Sequence, residues 1–507
     1  MPVFAAVDIG ANSVRLKIAE LTRRKFRVIH DDREVTRLGE SVFRNNVLAP
    51  DAMAHTVKVL TRFYRTSQKF RVEQVRVVST SPLRDSKNSR AFIEWVKSAV
   101  GWKIEIISGL EEGRLIHLGV LSNARIENKD VLMFDLGGGS CEITISQRGH
   151  IREMFSLPLG AVRLTQEFLL HDRPKSKEVE RMREYIAEQV SRIAPAIRKY
   201  RVDLAIATSG TAAALAEAAR SIQKRSKYAH KVSRSMTAGL ARELAVHSRN
   251  ERERYPGIGP RRAEIIVAGA FVFSELMAQY DLPSFQYSPL GLRDGLLAQM
   301  AADAGIGTRA HRQLEAEQED ALTTLGKRYG ADARHAAHVR GLALQLFKAL
   351  EKLHGLPPQY AQWIGAAAML HEIGSYVNRN GRHRHTYYLI SNSELFGFAP
   401  DQRYLIATVA RYMGKSRPSE RDRELKNLRP SARALLNRAV ILLRLARALN
   451  QGRRGIVQHV RAQQREAVVL LELRGKSGMD LEIWAAEKER GYFRDVFGRD
   501  LLVRAAS

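Results

Sequence analysis

The sequence predicts an α/β protein of two duplicated lobes, followed by an all-α region and a small α/β piece at the C-terminal end. Three observations carry this. Strand-like and helix-like segments alternate through residues 1–305. Residues 6–18 repeat as residues 133–145. Beyond residue 305 the apolar spacing becomes almost wholly helical.

In chain order, Phe4–Val7 is a short apolar run ending at Asp8-Ile9-Gly10, and Val14–Ala19 resumes with strand alternation. Gln74–Val78 reads as a strand, Ser89–Val100 as an amphipathic helix, Lys103–Ile107 as a strand and Glu111–Leu121 as a helix. In the repeat, Asp8 matches Asp135, Gly10 matches Gly137, Ser13 matches Ser140, Leu16 matches Ile143 and Ile18 matches Ile145. Two unrelated glycine hairpins are the plain alternative; the length of the match favours duplication, and two lobes with Asp–Gly turns imply a cleft. A third turn, Thr208-Ser209-Gly210-Thr211, joins a strand to a helix beginning near Ala212. Ala263–Tyr280 is an apolar helix, Phe285–Tyr287 a strand and Gly291–Met300 a closing helix. Helical periodicity then covers Ala336–Leu353, Tyr360–His371, Pro400–Tyr412 and Ser431–Leu449. Residues 466–474 and 480–485 read as strands and Glu487–Val496 as a helix. The expected domains are 1–124, 125–305, 306–460 and 461–507.

A chain of 507 residues needs several cores. Its one cysteine, Cys141, excludes a disulfide framework and a thiolate metal cluster. The start, MPVFAAVDIG, lacks the pattern of a secretory leader, and no run approaches the ~20 apolar residues that span a bilayer. The expectation is a cytoplasmic protein with no membrane partner. Lys and Arg number 82 against 54 acids, spread as 48 against 33 in residues 1–300 and 34 against 21 in 301–507. Residues 411–460 hold 13 basic and three acidic groups, including Arg411, Lys415, Arg417, Arg421, Arg423, Lys426, Arg429 and Arg433. Such a surface suits a polyanion: polyphosphate, nucleic acid or acidic lipid. A generally arginine-rich composition is the plainer reading.

Glycine turns let main-chain N–H groups approach phosphate oxygens, and Ser13, Ser140, Ser209 and Thr211 add hydroxyls. The turn before Ala212 sets a helix N-terminus beside them, whose partial positive charge favours anions. No P-loop pattern is present. Phosphoanhydride hydrolysis also needs charge neutralisation and an oriented water. Asp8, Asp135 and Glu142 sit on the two hairpins, in position to hold Mg²⁺ through oxygen. Glu111 and Glu112 open a helix after Ser108-Gly109, where acids also occur for helix stability alone. Arg84 follows a strand and is a candidate phosphate clamp, or one more surface arginine.

The stretches AAVDIGANSVRLKIAE, STSPLRDSKNSRAF, IEIISGLEEGRLIHLGV, FDLGGGSCEITI, SLPLGAVRLTQEF, IATSGTAAAL, RRAEIIVAGA and SPLGLRDGLL run in order through residues 3–300. Together they resemble the exopolyphosphatase/guanosine pentaphosphate phosphatase (Ppx/GppA) family. The resemblance implies two actin-like (ribonuclease H-like) lobes and a Glu112 that orients or deprotonates the attacking water. It implies that Asp135 and Glu142 support that water and Mg²⁺ or Mn²⁺, with Asp8 in the superfamily's first phosphate motif and K⁺ as a stimulant. Asn12, Ser13, Arg84, Gly137, Gly138, Gly139, Ser140, Gly210 and Thr211 would hold phosphates. The later half resembles the family's HD-type helical domain, with His335 and His371-Glu372. Glu372 stands where such domains carry Asp, and Arg411-Tyr412-Met413-Gly414 lacks an expected histidine. The expectation is therefore a polyanion-binding, dimer-forming appendage without metal chemistry of its own, with His383 and His385 structural or facing substrate.

The reading is an exopolyphosphatase acting as a homodimer, with Arg411, Lys415, Arg417 and Arg421 as a track for the polymer and no nucleic acid partner. The alternative is a pppGpp phosphatase making ppGpp. A non-catalytic polyanion sensor and an actin-like ATPase are weaker alternatives, and intact Glu112, Asp135 and Glu142 argue against the sensor.

Overall fold

A computed structural model describes residues 1–22, 25–122, 126, 128–223, 231–304 and 309–506. The chain forms two compact units, Met1–Leu314 and Glu315–Ser507.

The first unit contains two sheets. One is made of β1 (Val3–Ile9), β2 (Ser13–Thr22), β3 (Lys25–Val35), β4 (Gln74–Ser79) and β5 (Ile104–Ile106), in the order β3-β2-β1-β4-β5. The other is made of β6 (Asp130–Leu136), β7 (Cys141–Gln147), β8 (His150–Leu157), β9 (Leu204–Thr208), β10 (Lys231–Ser233) and β11 (Ser284–Tyr287), in the order β10-β11-β9-β6-β7-β8. Each sheet has an antiparallel trio, β1/β2/β3 or β6/β7/β8, whose first strand pairs in parallel with the next strand in the chain, β4 or β9. The repeat is thus structural, and it extends to the turns. Gly10 N–H donates to Ser13 O at 3.1 Å, and Gly137 N–H to Ser140 O at 2.9 Å.

Both faces of the first sheet are covered, so β1 is apolar at nearly every position rather than alternating. Ala5, Val7 and Ile9 meet the helices Pro50–Lys69 and Ser89–Val100, through Leu60, Phe63, Phe92 and Val96. Phe4 and Ala6 face the other way, onto Leu115 of the helix Gly109–Leu121 and Leu296, Leu297 and Met300 of Leu292–Asp303. In the second lobe, Phe273 of the helix Ile266–Gln279 meets Phe134 edge-on and Phe285 at a tilt, closing an aromatic centre. The helix Gly109–Leu121 serves both lobes, since Ile116 and Val120 pack on Val131, Met133 and Ile206. Its side chains from Glu112 to Leu121 are all buried, which fixes its first turn beside the loops of both sheets. Two predicted starts shift slightly. The helix after β9 begins at Ser209, not near Ala212, and the apolar helix begins at Ile266.

The second unit packs the helices Ala333–Ala349, Tyr360–Leu370, Arg382–Asn392, Pro400–Arg411 and Pro430–Ala448 against one small sheet. That sheet holds β12 (Val457–Gln464), β13 (Val468–Gly475) and β14 (Asp500–Ala505), in that order. One continuous core joins Val339, Ile364, Ile406 and Ile441 to Val469, Leu471 and Phe493. The strand expected at 480–485 is instead the helix Asp480–Glu487. Asp480 and Glu482 favour a helix N-terminus, and the Trp-Ala-Ala-Glu sequence that follows suits a helix interior. A second helix, Arg490–Phe497, follows it, and β14 takes the strand place in the sheet. Among the described residues, no helix is long and apolar enough to cross a membrane.

Candidate active site

The two Asp–Gly turns of the first unit face each other. A methyl group on Gly138 would fall 2.8 Å from Ala11 Cβ and 3.4 Å from Asn12 N, so only glycine allows this approach. Between them lies a cavity of about 590 Å³, lined among others by Asp8, Asn12, Ser13, Glu112, Asp135, Gly137–Ser140, Gly210 and Thr211. The third turn enters through Ser209, whose φ of 76° is unusual for a side-chain-bearing residue opening a helix. Its hydroxyl is buried without a hydrogen-bond partner. The three turns expected from the sequence therefore line one cavity.

Glu111 and Glu112 part company. Ser108 Oγ caps the helix by accepting from Glu111 N–H at 3.1 Å, and the Glu111 carboxylate takes Arg114 Nε and Nη2, each at 2.8 Å. Glu112, one position on, faces the cavity. Its carboxylate joins those of Asp135 and Glu142, with ligand oxygens within 4.8 Å of one another. Asp135 and Glu142 are directly opposite in the β6–β7 register. Thr208 Oγ donates to Asp135, and Ser156 Oγ to Glu142 Oε1 at 2.8 Å. Glu112 Oε2 and Glu142 Oε2 are buried with no hydrogen-bond partner.

Burial, and then mutual repulsion, raise these acids above the ordinary carboxylate range. Glu142 is pushed up to about 8, by burial first and then by Asp135. Glu112 moves well up, by burial and then by Glu142 and Asp135. Asp135 and Asp8 also rise through burial; the Thr208 bond opposes this at Asp135, and Arg15 opposes it at Asp8. Such a cluster invites a hard divalent cation.

Arginines supply the other wall, and sequence reasoning missed them. Asp8, Arg15 and Arg33 stand in register across β1, β2 and β3. Two arginines in direct cross-strand register repel. Arg33 Nε and Nη2 are buried without partners, and burial followed by Arg15, Arg261 and Arg293 lowers its pKa to about 10. Arg262 lies across the third turn, so close that a methyl on Gly210 would fall 1.3 Å from its Nη2. That Nη2 is buried without a partner, and burial, Arg33 and Arg15 together hold its pKa well below the usual value. The available signals were Arg15's place two residues after Ser13 and Arg262's place in RRAEIIVAGA, both drowned by the abundance of arginine.

Arg84 does not line the cavity. Its Nη1 donates to Ile107 O at 3.1 Å and lies 4.0 Å from Glu112 Oε2, beside an acid that does line it. In the second unit, the proposed track is partly consumed by internal pairs. Arg411 is half-buried on Glu424 at 3.3 Å, Arg417 pairs with Asp495 at 2.5 Å and Arg429 with Asp401 at 2.5 Å. Lys415, Arg421, Arg423 and Lys426 are exposed and make no ion pair among the described residues. Met413 is fully buried in the helical core, and burial drives His371 and His383 down to about 4, keeping both rings neutral.

The model of the Ppx/GppA phosphatase family matches residues 17–304, and that of Ppx/GppA phosphatase, domain III, matches residues 318–482. A guanosine-5'-triphosphate,3'-diphosphate pyrophosphatase of Photobacterium profundum is 26% identical over 446 residues, 87% of this chain and 86% of that protein. Among solved structures, the Aquifex aeolicus Ppx/GppA family member is 29% identical, with a TM-score of 0.51, covering 60% of this chain and 98% of that one. An exopolyphosphatase from Cytophaga hutchinsonii ATCC 33406 shares the fold at 24% identity and TM-score 0.57, covering 61% and 99%. With its duplicated actin-like lobes and a family match across more than half its length, the chain belongs to the Ppx/GppA phosphatase family.

Proposed function

We propose that this phosphoanhydride hydrolase removes terminal phosphates from inorganic polyphosphate. One observation carries the reading: half-buried Arg33 and buried Arg262, with Arg15, line one cavity with Glu112 and Asp135, and Arg33 and Arg262 make no ion pair among the described residues. Arginines that repel one another are stabilised by a ligand with several adjacent charges, which a chain of phosphates supplies.

The carboxylates fit Mg²⁺ or Mn²⁺, because two buried oxygens are orphaned and three acids converge. Asp135 and Glu142 would hold the ion, with Asp8 adjoining; when bound, it neutralises charge developing on the phosphoryl oxygens. Glu112 then takes the proton of the attacking water, its basicity raised by burial above the ordinary carboxylate range. Asn12, Ser13, Ser140, Thr211 and the Gly137–Gly139 main chain hold the terminal phosphate, and Arg15, Arg33 and Arg262 the phosphates behind it.

A second reading, pppGpp 5'-phosphatase, is favoured by the pyrophosphatase name of the Photobacterium relative. Parallel measurement of kcat/KM on long polyphosphate and on pppGpp with saturating Mg²⁺ separates them. The polyphosphate value should be the larger; a preference for pppGpp of more than about tenfold replaces the proposal with the second reading, and no release from either refutes both.

A further inference from the structure

We propose that Arg163 is a positioning residue for the reaction: it orients the last donor of a phosphate-binding nest in the second Asp–Gly turn, and does so only when the two lobes are together. The inference rests on the hydrolytic reading above and gives a part in it to a side chain outside the cavity lining.

A trans peptide points its C=O and the next N–H in opposite directions. In this turn all three glycine carbonyls go to one side. Gly137 O accepts Ala161 N–H at 3.0 Å, and Gly138 O accepts Val162 N–H at 2.9 Å and Arg163 N–H at 3.0 Å. These donors form the first turn of the helix Ala161–Phe168, where main-chain N–H groups have no partner within the helix. Gly139 O is taken by a side chain instead: Arg163 Nε donates to it at 2.8 Å. The N–H groups of Gly138, Gly139 and Ser140 therefore turn the other way, and none donates to a protein acceptor among the described residues. Successive free N–H groups of this kind bind an anion, and here they belong to a turn that lines the cavity. The main chain fixes the peptides that carry the first two. The Arg163 side chain fixes the third, that of Ser140.

Arg163 also holds the first lobe. Its Nη2 donates to Asp85 Oδ2 at 2.5 Å, and its guanidinium carbon lies 4.3 Å from the centre of the Phe43 ring. Phe43 presses on the nest as well, since a methyl group on Gly139 would fall 2.5 Å from its Cζ. Asp85 follows the short helix Ser81–Arg84, and its Oδ1 lies 3.7 Å from Arg84 Nε. Arg84 Nη1 is in turn 4.0 Å from Glu112 Oε2. One half-buried guanidinium thus ties the Gly139 carbonyl to the lobe that carries the proposed base. Lysine, a single ammonium on a flexible stem, lacks the planar fork that sets Nε on Gly139 and Nη2 on Asp85 together. Parting of the lobes breaks the Asp85 and Phe43 contacts, frees the guanidinium to leave Gly139 O and lets the Ser140 N–H swing. The nest is complete only around a closed cleft.

Donors fixed at the reacting group act mainly on charge that develops in the transition state, and loss of one costs about 10²–10³ in kcat; misplacing one should cost about ten- to a hundredfold. KM, set by Arg15, Arg33 and Arg262, should stay within about threefold. Both constants are measured for wild type, Arg163→Met, Arg163→Lys, Asp85→Asn and the double variant Arg163→Met/Asp85→Asn, with thermal unfolding beside them. The substrate is whichever of long polyphosphate and pppGpp the wild type turns over faster. Arg163→Met should show the full loss in kcat and Arg163→Lys a partial one. Asp85→Asn should lower kcat by about threefold or more alone, and have no further effect once Arg163 is Met. Additive losses would mean that Asp85 acts through Arg84, and would overturn the coupling. A folded Arg163→Met with kcat within about twofold of wild type, or with its whole loss in KM, overturns the proposal and leaves the hydrolytic reading standing. A wild type that hydrolyses neither substrate removes both. If Arg163→Met loses its unfolding transition, Arg163→Lys and Asp85→Asn decide: full activity in both overturns the proposal.

Discussion

Replacing Glu142 by glutamine should stabilise the metal-free protein above neutral pH, although the residue belongs to the proposed catalytic cluster. Glu142 is buried beside Asp135, and its pKa rises from 4.5 to about 8. A carboxyl with a raised folded pKa keeps its proton in the native state where the unfolded chain has already ionised. Its stability contribution is intact below about pH 4.5 and is lost as pH climbs to about 8. At about 1.4 kcal/mol per pK unit the loss is on the order of 5 kcal/mol. For a unit this large, each kcal/mol shifts the midpoint by roughly 2 °C, or on the order of 10 °C in all. Glutamine keeps an oxygen for the Ser156 hydroxyl and carries no charge. The assay is thermal unfolding with chelator from pH 5 to pH 9. Wild type should fall below Glu142→Gln as pH rises, and saturating Mg²⁺ should return wild type to at least its own low-pH midpoint. Parallel curves for the two proteins would refute the reasoning, because Glu142 would then be ionised at no cost in the folded state.

Glu112→Gln should keep the fold and lower kcat by about 10²–10⁴, read as phosphate release at saturating substrate, since the amide takes no proton. Arg33→Met should raise KM ten- to a hundredfold, by roughly 1.5–3 kcal/mol of lost charged contact. It should also raise the unfolding midpoint of substrate-free protein by removing repulsion from Arg15; a lowered midpoint with unchanged KM would make Arg33 purely structural. Gly138→Ala should wedge the facing loops apart, costing activity more than stability, as compared by kcat/KM and thermal unfolding. Lys415, Arg421, Arg423 and Lys426 changed together to glutamine should raise KM for long polyphosphate at least threefold, by roughly 0.7 kcal/mol or more, and leave short chains unchanged.

Much of the cleft was legible because duplication printed it twice. Asp8 and Asp135, with their glycine turns, are visible by laying the chain on itself, and Glu142 follows from Asp135 by hairpin register. Separating Glu112 from Glu111 needed the family resemblance; in the structure the Ser108 cap and Arg114 claim Glu111. Arg33 was not legible. It lies on β3, KFRVIHDDREV, where charged residues break the alternation that marks a strand. Its importance comes from standing opposite Arg15, a relation only the register supplies. The C-terminal sheet failed for a related reason. Val457–Gln464 is largely polar edge strand, while 480–487 shows enough apolar residues to imitate a strand yet points Leu481 and Trp484 outward as a helix.

Net charge alone does not show which basic groups of residues 411–460 are already paired. Arg411, Arg417 and Arg429 hold Glu424, Asp495 and Asp401, while Arg433 Nε donates to Leu428 O at 3.0 Å. A polyanion reaching a paired arginine must first displace its carboxylate, so the gain is a difference between two similar contacts, screened by solvent. Arg33 and Arg262 make no ion pair among the described residues, and burial and neighbouring arginines destabilise their charged forms, offset at Arg33 in part by Asp8. There, an incoming phosphate gains a full charge-assisted hydrogen bond and relieves repulsion as well. Two cleft arginines without ion-pair partners among the described residues should therefore outweigh a larger number of paired ones in the helical unit. Affinity for a short substrate should be set in the first unit, leaving the exposed Lys415, Arg421, Arg423 and Lys426 to act only on chains long enough to reach them.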